Sequence, residues 1–248
     1  MDWSSRTEWC GYGSGGDHVA RQALWEGVYR AVRQRILTLA IAPGTRLSES
    51  GLAQEFDLSP TPVRDALGRL MQEGLVVSGR ERGYWVAGLD IGDLQQLAAF
   101  RYILERGVAE LLVADPPDYG PLREHNAALR APGLTLDEVV DVNADFHMGL
   151  AELTGNQRLV RTLRRVLEDS ARYFRVGAHH YSAAQMADDH DDLVDALVEA
   201  DMARVGRHLH HEAFGTRDRV MDVLVRSPRA LSGLIGTPLT GAHRGPTG

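Results

Sequence analysis

Lysine is absent from this sequence, cysteine occurs once, and no long apolar run is present. All 27 basic residues counted as lysine or arginine are arginine, which we interpret as codon usage in a G+C-rich genome rather than as chemistry. The single cysteine, Cys10, cannot form a disulfide within one chain, as expected in a reducing cytoplasm. No apolar stretch reaches the length of about 18 residues that a membrane helix needs, and the N-terminus has no apolar signal core. We therefore expect a cytoplasmic protein without a membrane span.

Charge is spread unevenly over the chain. Residues 18–88 contain 9 arginines against 7 acidic residues, a balance of +2, whereas residues 90–226 contain 15 against 24, a balance of −9. A mildly basic front and an acidic back indicate two domains with different partners. The flanking segments, residues 1–17 and 227–248, are rich in glycine or proline and lack periodicity, so we expect both to be disordered.

The front region predicts three helices and a β-hairpin. Apolar residues recur every four positions in a first helix over about residues 19–39. A short second helix follows the N-capping residue Ser48, a third begins after Ser59, and the segment LVVSGRERGYWVAG predicts two short strands around a turn. This order is that of a winged helix-turn-helix, whose third helix enters the major groove of DNA.

The third predicted helix, SPTPVRDALGRLMQEG, has a stiff beginning. Ser59 is expected to be the N-cap and Pro60 to take the first helical position, where a missing N–H costs nothing. Thr61 and Arg64 lie opposite the apolar face of the helix. The free N–H groups and the positive end of the helix dipole would then point toward phosphates.

Beyond residue 90 the pattern is helical throughout. Helices are predicted over residues 90–114 and about 121–130, 136–154, 157–177, 183–199 and 202–226. Asp90 is expected to cap the first of these helices, Gly155 to end one in the left-handed conformation, and Asn156 to cap the next. The predicted fold class is mainly α: an N-terminal winged helix-turn-helix with a small β-hairpin wing, followed by an all-α bundle of six to seven helices.

These residues resemble a known family. The front motif APGTRLSESGLAQEFDLSPTPVRDALGRLMQEGLV, followed by RGYWV, and the back segments LAAFRYILE, NADFH, LAELTGN and DHDDLVDALVEAD are similar to the GntR superfamily of bacterial transcription regulators. They resemble its FadR-type branch, which carries a helical effector-binding domain called FCD. The resemblance covers nearly all of residues 19–226. It implies a DNA-binding domain over residues 18–88 and an effector-binding and dimerisation domain over residues 90–226.

The resemblance also implies DNA contacts from the turn, the third helix and the wing. The corresponding positions in this sequence are Arg46, Ser50, Ser59, Thr61, Arg64, Arg82 and Gly83. An arginine on a helix is more often merely solvated, but the position of Arg64 on the open face of a recognition helix favours a base contact. Pro60 stands where the family often has a basic residue, so one usual contact is not expected.

Several polar residues of the back region fall on apolar stripes. Asn143 and His147 lie four residues apart on such a stripe, and His190 lies on another. In the last helix, a rotation of about 100° per residue puts Glu212 about 20° from the stripe centre, His208 about 60° away and His211 about 120° away. Glu212 is therefore expected to point inward and His211 outward.

FCD domains commonly hold a divalent metal, and the resemblance implies a site made of Asn143, His147, His190 and Glu212. Glu212 stands where the family usually has a histidine, but glutamate remains a competent ligand for Zn²⁺, Ni²⁺ or Mn²⁺. His208 and His211 stay open as alternative fourth ligands. A buried polar network without metal is the other interpretation of the same residues.

Arg101 is expected on the apolar side of its helix, where a buried guanidinium needs an anion. Its partner is either an internal carboxylate such as that of Glu105 or the carboxylate of a bound metabolite. A metal and a guanidinium that face one cavity suit a small organic acid.

The sequence thus predicts a metabolite-responsive transcriptional regulator. We expect a repressor that binds a palindromic operator in double-stranded DNA as a homodimer and responds to a small carboxylate effector. The alternative is a metal-dependent hydrolase with an accessory DNA-binding-like domain, although the sequence contains no H-E-x-x-H motif, nucleophile elbow or P-loop. A non-specific DNA-coating protein is disfavoured by the acidic back region.

Overall fold

The computed structural model describes residues 15–79, 83–177 and 182–226. Within them the chain is mainly helical, with nine α-helices and one small antiparallel sheet. The described residues divide into two compact units, the first from residues 15–34 and 46–85, the second from residues 35–45 and those between 86 and 226. None of the helices in the described residues combines the length and apolar character needed to cross a bilayer.

The first unit has the elements of a winged helix-turn-helix. Its helices and strands are α1 (Gly15–Leu37), β1 (Arg46–Leu47), α2 (Glu49–Glu55), α3 (Pro60–Gln72), β2 (Val76–Ser78) and β3 (Tyr84–Val86), with the end of α1 and of β3 assigned to the second unit. The sequence predicted a two-stranded hairpin, but the sheet has three strands. The additional strand β1 pairs with β3, which gives the order β1-β3-β2. The predicted fold class is otherwise confirmed.

Helix α3 begins as its prolines require. Pro60 occupies the first helical turn after Ser59, whose backbone is extended. The hydroxyl of Ser59 makes no capping hydrogen bond, so the side-chain cap expected there is absent and the proline geometry starts the helix. Val63 and Leu67 are completely buried, which fixes one face of α3 against its own unit and leaves the opposite face open.

The second unit is a helical bundle. Its helices are α4 (Ile91–Ala114), α5 (Gly120–Asn126), α6 (Leu136–Leu153), α7 (Gln157–Gly177), α8 (Ala183–Val198) and α9 (Met202–Arg226), with a 3₁₀ turn at Ala127–Arg130 after α5. The expected boundary signals are confirmed: Asp90 accepts a capping bond from the Asp93 amide, Gly155 has a φ of 66°, and Asn156 accepts from the amide of Arg158.

The bundle core is apolar except for one polar layer. Buried side chains from α4, α6, α7, α8 and α9 form the main cluster, including Leu112, Phe146, Leu163, Leu193 and Leu209. Several charged or polar side chains lie inside the same unit at 8% exposure or less. Burying such groups is costly unless they are paired or bind a ligand, so this layer is where a site is expected.

The flanking segments predicted to be disordered, residues 1–17 and 227–248, lie almost entirely outside the described residues, and α1 already begins at Gly15.

Candidate functional site

Six buried polar side chains from five helices meet in the bundle. They are Arg101 and Glu105 of α4, Asn126 of α5, His147 of α6, His190 of α8 and Glu212 of α9. We call this group the polar centre. Apart from Arg101 and Glu105, which are one helical turn apart, its members are distant in the sequence and only the fold brings them together.

Three members of the polar centre offer atoms that converge on one point. One ligand atom from each of His147, His190 and Glu212 lies within 4.8 Å of the other two. Nε2 of His147 is 2.7 Å from Oε2 of Glu212, and Nε2 of His190 is 3.9 Å from the same oxygen. Three of the four predicted metal ligands are therefore neighbours, which the sequence spacing alone could only suggest.

The hydrogen bonds of Asn126 fix the tautomer of His190. The amide nitrogen of Asn126 donates to the carbonyl of Ala187 at 2.9 Å and to Asp191 Oδ1 at 3.1 Å. Its Oδ1 is thus left as an acceptor, 2.8 Å from Nδ1 of His190. Because Nδ1 carries the proton, Nε2 presents a lone pair toward Glu212. An oriented imidazole of this kind is typical of metal-binding histidines.

Burial keeps His190 neutral. Its ring is fully buried and stacks on Phe146, with ring centroids 3.8 Å apart. Burial lowers the pKa of His190 to about 3, so the ring has its lone pair available across the physiological pH range.

No protonation state of His147 suits both of the neighbours of its Nε2 atom. Nη2 of Arg101 lies 2.8 Å from Nε2 of His147 and can only donate, which requires a lone pair on that nitrogen. Oε2 of Glu212 lies 2.7 Å from the same nitrogen and can only accept while it is ionised, which requires a proton there. Nε2 of His147 can match only one of these two neighbours, so one of the two contacts stays unmatched in either protonation state.

The charged residues of the polar centre shift one another's pKa values. Burial alone would lower the pKa of His147, but the carboxylates of Glu105 and Glu212 raise it. Burial alone would raise the pKa of Glu212, but His147 holds it well below its usual range. Both carboxylates are therefore ionised, because the pKa of Glu105 is also lowered, by Arg101.

The donor set fits a divalent metal. Oε1 of Glu212 and Nε2 of His190 are buried without a hydrogen-bond partner, and the nearest neighbour of Oε2 of Glu212 is Nε2 of His147 at 2.7 Å. Two imidazole nitrogens and a carboxylate are ligands that Zn²⁺, Ni²⁺ and Mn²⁺ accept. Asn143 lies one helical turn before His147 on α6 and is partly exposed, and its role as a ligand stays a prediction.

The predicted register of α9 agrees with the structure. Glu212 is buried, His208 is half-buried and His211 is exposed. Glu212 is therefore placed better than either histidine to serve as the last ligand.

Arg101 is buried as expected, and carboxylates of the same chain accompany it. Its Nε lies 2.8 Å from Oε1 of Glu105, and its Nη2 lies 3.6 Å from Oε2 of Glu212. The internal partner that the sequence left open is thus present. An effector carboxylate would have to share Arg101 with these residues or displace them.

The cavity beside the polar centre is small. It has a volume of about 10 Å³ and is lined by Glu105, His147 and leucines of the bundle, among them Leu150 and Leu193. This is room for a water molecule rather than for an organic acid. A larger ligand would require the surrounding helices to move apart.

The open face of α3 carries the predicted DNA-contacting residues. Ser59, Thr61 and Arg64 are all exposed. Arg64 is held by Glu49 of α2, with Nε and Nη2 at 3.1 and 2.8 Å from the same carboxylate oxygen. Ser50 is also exposed, at 3.0 Å from the capping hydroxyl of Ser48. The Arg64–Glu49 pair thus joins the exposed surfaces of α2 and α3.

The wing is organised by a tryptophan that the sequence interpretation missed. The guanidinium of Arg46 lies over the ring of Trp85, 5.8 Å from its centroid. A Cβ at Gly83 would lie 3.0 Å from the same ring, so close packing accounts for this glycine even without a groove contact. Arg82 lies outside the described residues. The tryptophan in the segment RGYWV is the sequence feature from which this packing could have been predicted.

Two members of the polar centre were likewise not predicted as site residues. Glu105 could be found as a partner of Arg101 from its i, i+4 spacing, but its approach to Nδ1 of His147 at 3.1 Å depends on the tertiary fold. The role of Asn126 could not be predicted from the pattern of its own helix, because its hydrogen-bond partners come from α8.

Comparison with known proteins agrees with this architecture. The family described as "Bacterial regulatory proteins, gntR family" matches residues 24–86, and the FCD domain family matches residues 96–212. An uncharacterized HTH-type transcriptional regulator in an unstable DNA locus of Streptomyces ambofaciens is 34% identical over 75% of this chain and 81% of its own length. The HTH-type transcriptional repressor RspR of Escherichia coli is 26% identical over 75% of this chain and 84% of its own length.

A solved structure shows the same fold. A crystal structure of a putative GntR transcriptional regulator from Rhodococcus sp. RHA1 superimposes with a TM-score of 0.66 at 22% identity, covering 81% of this chain and 98% of the other. The families and relatives are transcriptional regulators, which removes the hydrolase alternative.

Proposed function

This chain belongs to the gntR family of bacterial regulatory proteins and carries an FCD domain, and we propose that it is a cytoplasmic repressor controlled by a small carboxylate effector. Residues 18–88 would form the DNA-binding domain and residues 90–226 the effector-binding and dimerisation domain. The observation that carries the proposal is the open N-terminal face of α3, where Thr61 and Arg64 are exposed on a helix whose other face is buried.

DNA recognition follows from this face. In helix-turn-helix proteins the first turns of the second motif helix reach base edges, while neighbouring residues contact phosphates. Arg64 is suited to a bidentate contact with guanine. Ser50, Ser59 and Thr61 would donate to phosphates beside it, and Arg46, Arg82 and Gly83 would contribute from the wing.

The operator would be a palindrome read by a homodimer. Two-fold symmetric proteins of this class bind two half-sites separated by about one turn of DNA. A repressor role is supported by the name of the E. coli relative, the transcriptional repressor RspR.

A divalent metal would be held by His147, His190 and Glu212, with Asn143 as the fourth protein ligand. When bound, such an ion supplies open coordination positions that accept a carboxylate. The protein residues would do the rest: Asn126 and Glu105 orient the two imidazoles, and Arg101 adds a guanidinium beside the site.

The effector would be a small organic acid that changes the packing of the bundle. The cavity of about 10 Å³ does not hold such a molecule in the present arrangement, so its entry would move α4, α6, α8 or α9, each of which contributes a member of the polar centre. A movement of these helices would alter how the protein holds its operator.

Fluorescence anisotropy on a selected operator tests the proposal. An operator recovered from a random duplex library should be palindromic and bind more tightly than a scrambled duplex at equal salt. Addition of candidate acids with Zn²⁺, Ni²⁺ or Mn²⁺ should weaken binding to the operator. Equal affinity for the operator and the scrambled duplex would contradict the DNA-binding role, and indifference to every acid would contradict the effector role.

A further inference from the structure

The outer face of α4 is apolar, although the inner face of the same helix is buried in the bundle. Among the described residues eight large hydrophobic side chains are exposed, and four of them lie on α4: Ile91, Phe100, Ile103 and Leu111. Ile103 is 64% exposed. A helix that is apolar on two opposite faces is expected to be covered on both.

Three of these side chains form one stripe with a glycine at its centre. At about 100° per residue, Phe100 and Leu111 lie about 20° and 40° to one side of Gly107, and Ile103 lies about 40° to the other. The buried residues Glu105 and Ala109 point to the reverse side. We call Phe100, Ile103, Gly107 and Leu111 the outer stripe.

The glycine of the outer stripe has no explanation within its own chain. Glycine weakens the interior of a helix relative to alanine. A Cβ at Gly107 would meet no atom within 4 Å among the described residues, so no described neighbour requires the smaller residue. The close approach of a second helix from outside would require it.

We propose that the outer stripe is the dimer interface, with two copies of α4 packed antiparallel across a two-fold axis at Gly107. This inference rests on the dimer of the proposed function and assigns its surface. In this arrangement Ile103 lies level with Leu111 of the second copy, because each is four residues from Gly107. The two apolar ends of the stripe thus cover each other, as a two-fold interface requires.

Charges beside the stripe favour this orientation over a parallel one. Arg106 and Glu110 lie on the same edge of the stripe, with Nε and Oε1 3.5 Å apart in one chain. In antiparallel packing the level of Arg106 along the helix axis differs by only about 3 Å from that of Glu110 of the second copy. Parallel packing about a two-fold axis would instead place the two copies of this edge on opposite sides of the contact, so that Arg106 would not meet Glu110 of the second copy.

The same edge continues into an open hollow between α4 and α9. The hollow has a volume of about 600 Å³ and is lined by residues that include Tyr102, Arg106 and His210. A second copy seated on the stripe would cover part of this aromatic surface as well, which enlarges the apolar area that the dimer buries.

A substitution that places a charged side chain in the outer stripe tests whether the stripe forms the dimer interface. Ile103→Glu should raise the dimer dissociation constant at least about 100-fold, because a carboxylate would replace a large apolar side chain inside the contact. Val198→Glu is the matched control, since Val198 is 63% exposed and lies at the end of α8. Light scattering over a range of concentrations gives the masses, and circular dichroism verifies that both variants are folded.

A cysteine at the proposed axis tests the geometry. In a Cys10→Ser background, Gly107→Cys should give a disulfide-linked dimer on mild oxidation, because residues at a two-fold helix crossing come within the reach of about 7 Å between Cα atoms. Val198→Cys should not. A dimer that survives Ile103→Glu overturns this interface but leaves the proposed function standing, whereas a monomeric parent protein overturns the dimer itself. Loss of the dimer in Ile103→Glu without cross-linking of Gly107→Cys overturns the antiparallel register.

Discussion

Nδ1 of His190 lies 2.8 Å from Oδ1 of Asn126, and this hydrogen bond decides which nitrogen of the buried ring faces Glu212. The amide of Asn126 cannot turn over without losing its bonds to the Ala187 carbonyl and Asp191. A residue on α5 thereby controls which nitrogen of the His190 ring, on α8, has the free lone pair.

Asn126→Ala should weaken Zn²⁺ binding about 10- to 100-fold, which is the usual effect of removing an outer partner of a metal-binding histidine. Without Asn126 the ring of His190 can rotate or carry its proton on Nε2. The affinity is measured by competition with a chelating dye on protein shown to be folded. Asn156→Ala is the control, because it removes the cap of α7 and should cost about 1 kcal/mol of stability without changing the affinity. Parent-like Zn²⁺ affinity in Asn126→Ala would contradict the assignment.

Glu212→Ala should lower the metal content and the effector response while operator binding by the effector-free protein stays near that of the parent. The reason is that Glu212 supplies a buried carboxylate whose Oε1 has no hydrogen-bond partner, whereas the proposed DNA contacts lie in the first unit. Glu212→His should restore or tighten metal binding, since imidazole is a strong ligand for these ions. Mass spectrometry and operator titrations give the two readouts. If Glu212→Ala behaves like the parent, and the melting temperature ignores Zn²⁺, Ni²⁺ and Mn²⁺, the polar centre is only a polar core.

The helices could be predicted from the sequence because their signals are local. The spacing of apolar residues and the caps at Ser48, Asp90 and Asn156 gave boundaries close to those observed. The two-residue strand β1 was missed, since so short a strand has no periodicity and its partner β3 lies far along the chain. The absent cap at Ser59 shows that a favourable residue type does not guarantee the hydrogen bond.

The candidate site could be predicted only in part. The 3.6-residue period placed Glu212 on the inner face of α9, because that inference concerns a single helix. The pairing of Arg101 with Glu212, and the role of Asn126, depend on how several helices pack. Helical periodicity carries no information about contacts of that kind.

Gly79→Ala should destabilise the wing. A Cβ at this position would overlap the ring of Trp85, and displacing a packed ring typically costs about 1–3 kcal/mol. DNA affinity should fall as well, because Arg46 lies over the same ring. Gly27→Ala is the matched control: its Cβ would meet nothing within 4 Å on helix α1, so it should stabilise the protein by up to about 1 kcal/mol. Denaturant unfolding measures both variants, and equal stability of the two would refute the role given to Trp85.

Arg64→Ala should cost about 1–3 kcal/mol on the selected operator and flatten the preference for it, because in the proposed function the guanidinium on this face of α3 would read a base edge. Glu49 holds Arg64 through one carboxylate oxygen, so Glu49→Ala should release the arginine and preserve the preference. Arg69→Ala is the matched arginine control, since Arg69 is exposed in the last turn of α3 and pairs with Glu73. Anisotropy titrations of operator and scrambled duplexes at several salt concentrations separate the effects. Equal weakening of Arg64→Ala on both duplexes would mean that Arg64 contacts only phosphate, and the specificity would then have to come from other residues.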